Sequence, residues 1–588
     1  MQKTKIVCTI GPSSDSPEII EEMILSGMNV ARMNFSHGSH EEHLKKVNIL
    51  KSLRTKLHRP VALLLDTKGP EIRIKKFADH SVELIDNQLF TLTVRDVEGT
   101  SEIVGVTYRE LPSTVKKGTR ILLDDGLIEL LVERIDHEDT ICRVINGGII
   151  SNSKSINLPG LNTKMPYLNE NDKDDLRFAY EQDFDFIALS FVRSAQDVLN
   201  VKSFLNGVGP SRCELIAKIE NAEGVNNIDE IIRVSDGIMV ARGDMGVEIP
   251  FEELPGIQKS LIKKCYSAGK KVITATQMLE SMIRNPRPTR AEITDIANAI
   301  HDGTSAIMLS SETASGKYPI ESLKTMIKIA EKTEASIDYT SRFYTYKYNH
   351  DQNITNAISH ATCMTAHDLG AVAIVTVTLN GSTARRISRF RPGIKIVAVT
   401  PKLKTYMQLA LSWGVIPLLS EFKESSAGLF KDAAKKTEEA GLVKEGSLIV
   451  ITGSSPPNTN ITNTLQVHMI GNVLARGTGH GTLSVCAKTC VIRSNEQPSG
   501  LVEGCIIVID KTTNEVLRLL RGTRGVITEE DFSESGVAAA AIALDIPVIT
   551  SVNDATKLIP DGSSVNMNPS QGFVYNGEMA DPANKCVL

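Results

Sequence analysis

Short apolar runs rich in β-branched residues recur along the first half of the chain, each followed by a stretch whose apolar positions fall three and four apart. The runs at 5–10, 29–35, 61–67 and 186–191 have the near-continuous apolar character of strands buried on both faces. The stretch between the first two carries its own punctuation. Ser16 stands where an N-cap is needed, Pro17 opens the first turn, Ile19, Ile20, Met23 and Ile24 share one face, and Gly27 ends the helix. Further runs at 214–219, 237–241, 271–275 and 305–309 make eight strands with helices between them, the pattern of a (β/α)8 barrel.

The series breaks between its third and fourth strands. There the texture changes to strict alternation, as at 121–132, with hairpin signals at Asp124-Asp125-Gly126 and around Asp139, which predicts an inserted all-β lid. After an amphipathic stretch at 323–337, a second alternating series with strands at 371–378, 395–400 and 447–452 predicts a doubly wound α/β domain. A Gly-rich stretch at 476–481 leads into a small C-terminal α/β unit with a helix at 536–544 and a strand at 547–550. The expected domains are therefore 1–70 with 168–345 (barrel), 71–167 (lid), 346–474 (α/β domain) and 475–588 (C-terminal unit).

Length agrees with this count, since 588 residues at roughly 150 per domain suggest about four units. With 41% hydrophobic and 23% charged residues the composition is that of an ordinary globular protein. A net charge of −5 and no basic arm argue against a nucleic-acid partner. The nine cysteines are scattered and their closest pair, Cys486 and Cys490, lacks C-x-x-C spacing, so free thiols in a reducing, cytoplasmic setting are expected. No apolar run reaches the roughly 18 residues of a membrane span.

In a barrel of this kind chemistry sits at the C-terminal ends of the strands, and here those ends are polar. Glu220 and Asp244, from neighbouring strands, are hard oxygen ligands suited to Mg²⁺, although either alone could simply cap the following helix. Lys218 lies two residues before Glu220, on the same strand face, and could reach an anion held there or merely pair with Glu220. Gly243 sits in a glycine-bearing turn whose amides suit a carboxylate. Arg32 and Arg73 are candidate forks for phosphate oxygens. Asn34, Ser36, Asp66 and Thr67 offer an oxygen set better suited to a monovalent cation. Thr276 could orient a water or pass a proton, or cap a helix.

Read together, KIVCTIGP, NVARMNFSHG, LLLDTKGPEIR, IALSFVR, IAKIEN, MVARGDMGVE, TATQMLESM and DGTSAIMLSSETASGKYP closely resemble pyruvate kinases, in order over about the first 470 residues. The resemblance implies a homotetramer that transfers phosphoryl from phosphoenolpyruvate to ADP, giving pyruvate and ATP, the last step of glycolysis. It implies Lys218 as the phosphoryl-stabilising residue and Glu220 and Asp244 as ligands of Mg²⁺ or Mn²⁺. Gly243, Asp244 and Thr276 would hold the substrate carboxylate, Arg32, Asn34 and His37 would approach ADP, and Arg73 the transferred group. Thr276 and Ser310 would deliver a proton, and Asn34, Ser36, Asp66 and Thr67 would hold K⁺. A glutamate at the position of Glu71 resembles the K⁺-dependent members of the family. Three positions depart from the usual pattern: Asn171 replaces a lysine, Ser305 an aspartate and Ser311 a glycine. Asn171 and Ser311 leave open a rival reading, a regulatory paralogue that binds the same ligands with weakened turnover.

In the α/β domain, Thr378, Asn380, Gly381, Ser382 and Thr383 follow a strand and open the helix carrying Arg385 and Arg386. They suit a phosphate, or simply a capped helix, and resemble the family's clamp for a phosphorylated effector. The last unit, with RGVITEE and ALDIPVITSVNDATKLIPDGSSV, resembles the mobile phosphohistidine domain of phosphoenolpyruvate synthases. Where that domain has T-S-H, this chain has Glu534-Ser535-Gly536, so the acceptor histidine is missing.

Overall fold

The computed structural model describes residues 2–161, 163, 165–210, 213–345, 353–445, 447–457, 461–471, 473–494 and 503–576. The eight expected strands close into one parallel barrel: Lys5–Thr9, Val30–Asn34, Ala62–Asp66, Phe186–Leu189, Glu214–Ile219, Gly237–Ala241, Lys271–Ala275 and Ala306–Leu309. Closure is made by the first and eighth, with Lys5 opposite Ala306 and Cys8 opposite Leu309. Alternation along each strand divides the core in two. Val7, Val30, Leu64, Ile216, Met239 and Ile273 fill the barrel interior, while Ile6, Ala31, Leu63, Ala217, Ile238 and Val272 pack outward on the helices. The helix Pro17–Ser26 starts and stops where its residues require: Ser16 accepts the Ile19 amide, and Gly27 adopts the left-handed φ of 117° that ends it.

The insertion forms a seven-stranded sheet and a two-stranded sheet, interrupted by one helical turn at Leu111–Thr114. The Asp124–Gly126 hairpin joins Arg120–Leu123 to Ile128–Asp136, and all three turn residues are left-handed. The next hairpin turns just before Asp139, which opens the strand Asp139–Asn146. Gly69, at the entry to the insertion, has φ 71°, and a Cβ there would lie 2.8 Å from the Ser190 carbonyl, so only glycine fits.

The α/β domain is a five-stranded sheet of Ala373–Val377, Lys395–Thr400, Val415–Leu419, Leu448–Gly453 and Thr464–Met469, ordered third, second, first, fourth, fifth. That order is doubly wound. Two of its strands escaped the sequence reading for a physical reason. Val415–Leu419 contains Pro417 and Thr464–Met469 is half polar, and both are edge strands, where such residues are tolerated. The C-terminal segment forms an eight-stranded mixed sheet between Val473 and Asn576, with the helix Gly536–Ala543 capped by Ser535. By packing, the chain forms two compact units, residues 1–367 with 376–429 and 452–464, and residues 368–375 with 430–451 and 465–588. No helix among the described residues is long and apolar enough to cross a membrane.

Candidate active site

Four buried charges meet at the C-terminal edge of the barrel. Lys218 Nζ lies 3.1 Å from Asp66 Oδ1 and 2.9 Å from Glu220 Oε1, and it donates to Ser190 Oγ at 2.8 Å. Arg32 donates through Nε to Asp66 Oδ2 at 2.7 Å and through Nη1 to Thr9 Oγ1 at 2.9 Å. Two cations and two carboxylates thus neutralise one another where either sign alone would be costly. Burial opposes ionisation of Asp66, but Lys218 and Arg32 outweigh it and hold the carboxyl below its usual range. Burial likewise opposes the Lys218 charge, yet Asp66 and Glu220 hold the ammonium above the usual lysine range.

Glu220 Oε2 accepts the Phe191 amide at 2.6 Å. Its Oε1, although close to Lys218, is buried without a hydrogen bond. Burial raises this carboxyl to about 7, with Lys218 opposing and Asp244 reinforcing the shift. A buried carboxylate oxygen met only by the Lys218 ion pair, beside a second carboxylate, fits a hard divalent cation. Among the described residues no group of three or more His, Cys, Asp and Glu side chains is placed to hold a metal. The pair therefore suits an ion that keeps water and substrate oxygens as its other ligands.

Asp244 lies in the first turn of the helix Arg242–Glu248, and the Gly243 amide donates to Thr276 Oγ1 at 2.9 Å. Thr276 and Gln277 have φ values of 66° and 53°, and Phe191 of 54°. A β-branched residue in the left-handed region costs about 1–3 kcal/mol and persists where the surroundings impose it. Here Arg242 does so by donating to the Thr276 carbonyl at 2.6 Å. Ser310 follows the eighth strand, and its buried hydroxyl has no hydrogen-bond partner.

Asn34 ends the second strand and accepts the Ser36 amide at 3.2 Å; His37 is exposed just beyond. Thr67 follows Asp66, its Oγ1 accepting the Ser190 amide at 3.2 Å and its carbonyl the Ser190 hydroxyl at 2.6 Å. Arg73 stands apart from the Lys218 cluster, on the inserted domain, where Nε and Nη2 bond Glu71 at 2.9 and 2.6 Å. A cavity of about 440 Å³ between the inserted sheet and the barrel loops is lined by Glu71, Phe191, Asn221 and Asp244, a size suited to a small ligand.

Ser190 is the residue that sequence reasoning missed. It ties Lys218, Asp66 and Thr67 together, and its only signal was a hydroxyl directly after the fourth strand in IALSFVR. None of the three departing side chains bonds to this cluster. Asn171 and Ser311 are exposed at helix starts, and Ser305 accepts from Arg391 at the opposite end of the barrel.

The loop at 378–383 lies in the α/β domain, apart from the rim. Thr378 Oγ1 accepts the Gly381 amide and Asn380 Oδ1 the Ser382 amide, both at 3.0 Å, while the Thr383 and Thr462 hydroxyls lie 2.8 Å apart. Thr378, Asn380, Ser382 and Thr383, with Ser454 and Pro457, line a small cavity. It lies at the end of the first strand, which neighbours the fourth where the strand order reverses, the usual ligand crevice of such sheets.

Comparison with known proteins agrees with the geometry. Residues 1–323 match the family described as pyruvate kinase, barrel domain; residues 356–468 match pyruvate kinase, alpha/beta domain; residues 501–572 match PEP-utilising enzyme, mobile domain. Pyruvate kinases of Sporosarcina psychrophila and Staphylococcus aureus are each 44% identical over 581 residues, covering 98% of this chain and 99% of theirs. The crystal structure of a pyruvate kinase from Cryptosporidium parvum superposes with a TM-score of 0.76 at 37% identity, covering 80% of this chain and 96% of that one. The chain therefore belongs to the pyruvate kinase family, phosphotransferases, in the form that carries an additional C-terminal domain of the mobile phosphoenolpyruvate-utilising type.

Proposed function

We propose that the barrel rim moves the phosphoryl group of phosphoenolpyruvate to ADP with Lys218 as the residue that carries the step. The observation that most supports this is the buried Lys218 ammonium, fixed between Asp66 and Glu220. Its charge is set at every physiological pH and its position before substrate arrives, so charge on the moving phosphoryl is met without reorganisation. Arg32, anchored by Asp66 and Thr9, serves with Asn34 and His37 on the ADP side, and Arg73, which bonds Glu71 in the unliganded chain, would have to turn from it to approach the transferred group. The amides of Gly243 and Asp244 with the Thr276 hydroxyl would hold the substrate carboxylate, which would take the place of the Gly243–Thr276 bond. Thr276 and the unpartnered Ser310 hydroxyl then hold the proton that goes to the enolate carbon. Glu220 and Asp244 are the residues that would hold Mg²⁺ or Mn²⁺, whose chemistry when bound is to screen negative charge on substrate oxygens. Steady-state assay with phosphoenolpyruvate, ADP, Mg²⁺ and K⁺ is expected to yield pyruvate; ligand binding without pyruvate would favour the regulatory paralogue instead.

Asn34, Ser36, Asp66 and Thr67 are proposed to hold K⁺. A carboxylate has about four acceptor sites, and Arg32, Lys218 and Ser190 use three on Asp66. Glu71 adds negative charge nearby that Arg73 only partly offsets, since burial still raises its carboxyl above the usual range. K⁺ is expected to speed turnover at least about tenfold over a tetramethylammonium buffer, and Glu71→Lys to bring that ratio toward one. Equal wild-type rates in the two buffers would remove the cation from this site.

The domain boundaries at 70/71, 167/168, 345/346 and 474/475, a cytoplasmic homotetramer, and a phosphorylated effector bound by Thr378, Asn380, Gly381, Ser382 and Thr383 complete the proposal. Eight free cysteines among the described residues support the reducing location. The C-terminal domain is proposed not to relay phosphate. Ser535 is committed to capping, Gly536 has no nucleophile, and His480 lies 3.1 Å from Thr550 and against Phe532. Incubation with radiolabelled phosphoenolpyruvate is expected to leave no acid-labile label beyond residue 476, and label there would contradict this assignment.

A further inference from the structure

At the N-terminal end of the barrel, opposite the rim, lies a cavity of about 250 Å³ between the strand starts and the helix Ser382–Arg389. Six basic side chains line it, Lys270, Lys271, Arg385, Arg386, Arg389 and Arg391, against two carboxylates, Glu214 and Asp236. Glu214 is already taken by Lys271 and by Arg385, the latter at 3.0 Å. Asp236 accepts the Leu215 amide at 2.9 Å.

Arg391 is the group left over. It is 6% exposed, and among the described residues no carboxylate lies within ion-pair distance of it. Its Nη2 donates to the Gly303 carbonyl at 3.0 Å and to Ser305 Oγ at 3.1 Å, whereas Nε and Nη1 are buried with no hydrogen-bond partner. The guanidinium lies over the Trp413 ring, 4.3 Å from its centroid. Stacking serves the face of a guanidinium and leaves its in-plane N–H groups unmet. Beside it the Ser412 hydroxyl, also on the cavity wall, is buried without a partner. Burial pushes the Arg391 guanidinium down to about 10 and lowers the Lys270 and Lys271 ammoniums as well. Water could fill the N–H groups but would leave the excess positive charge.

We propose that this cavity is an anion site, distinct from the 378–383 loop, that takes orthophosphate or the phosphate end of a small monoester, with Arg391 and Ser412 as its buried donors and Lys270, whose Nζ also donates to the Ser235 carbonyl at 2.6 Å, on its wall. The unmet Nε and Nη1 donors lie on different sides of the guanidinium, so each can meet one anionic oxygen, and the cavity holds a compact ligand.

Trp413 is the only tryptophan in the chain, so its emission reports on this cavity alone. The full chain is titrated with sodium phosphate, with glycerol 3-phosphate, and with sodium chloride at matched ionic strength. A saturable change in emission is expected with one or both phosphates and not with chloride, and the tighter of the two identifies the source. Arg391→Met and Lys270→Gln are each expected to raise the midpoint at least about tenfold, the loss of one charge-assisted contact. Lys218→Met and Thr378→Ala are expected to leave it unchanged. If Arg391→Met does not fold, Lys270→Gln and Ser412→Ala decide the matter. No saturable change, an unshifted midpoint in the cavity variants, or a response lost with Lys218→Met or Thr378→Ala would overturn the proposal.

Discussion

Lys218→Met is expected to lower kcat by at least about a thousandfold while changing phosphoenolpyruvate affinity by less than about tenfold. The asymmetry follows from where the charge acts. A buried ammonium already balanced by Asp66 and Glu220 gains little from a substrate whose charge the metal shares, but much from a phosphoryl group in flight, whose charge spreads over its equatorial oxygens. Loss of one preorganised donor costs about 10²–10³ in kcat, and a full charge in a dry site costs more. The substitution also leaves two carboxylates with one fewer cation, so thermal unfolding should be followed alongside the kinetics. Arg32 still bonds Asp66 in the variant, which should keep the rim assembled. A kcat near wild type in a folded variant would remove Lys218 from the chemistry.

Glu220→Gln and Asp244→Asn are each expected to raise the Mg²⁺ concentration for half-maximal rate at least about tenfold and to lower the maximal rate as well. Each replaces one of only two charged oxygens with a neutral one, and Mg²⁺ depends on charge as well as geometry. In Glu220→Gln the side-chain amide oxygen can still accept from the Phe191 N–H, so the turn after the fourth strand is retained and the effect is read on the metal. Titration of Mg²⁺ into chelator-treated protein checks this. Unchanged curves for both variants would show that these carboxylates hold no metal.

The barrel was legible because its signals are local. Ser16 and Gly27 mark one helix without reference to anything else, and three of the eight strand runs coincide with the observed bounds while the other five differ by a residue or two. The placement of Lys218 and Glu220 on one strand face was legible too, since alternation alone fixes it. What escaped depended on register between strands. That Arg32 meets Asp66 follows from Asn34 lying opposite Asp66 across the second and third strands, and no local pattern encodes that. Ser190 gained its role from the same convergence. Pro417 concealed an edge strand because a proline argues against strands unless the neighbour on one side is known to be absent. The unmet donors of Arg391 were invisible for the opposite reason, since an arginine lacks a partner only once every neighbour is placed.

The most direct test is a rapid-quench single turnover with phosphoenolpyruvate labelled in its phosphoryl group, in the presence of ADP, Mg²⁺ and K⁺. The label is expected to pass to ATP in step with pyruvate formation in the wild-type chain, and to remain on phosphoenolpyruvate over the same interval in Lys218→Met. Label that appeared first on the protein, that emerged as free phosphate, or that reached ATP equally fast without Lys218 would contradict direct transfer at this rim.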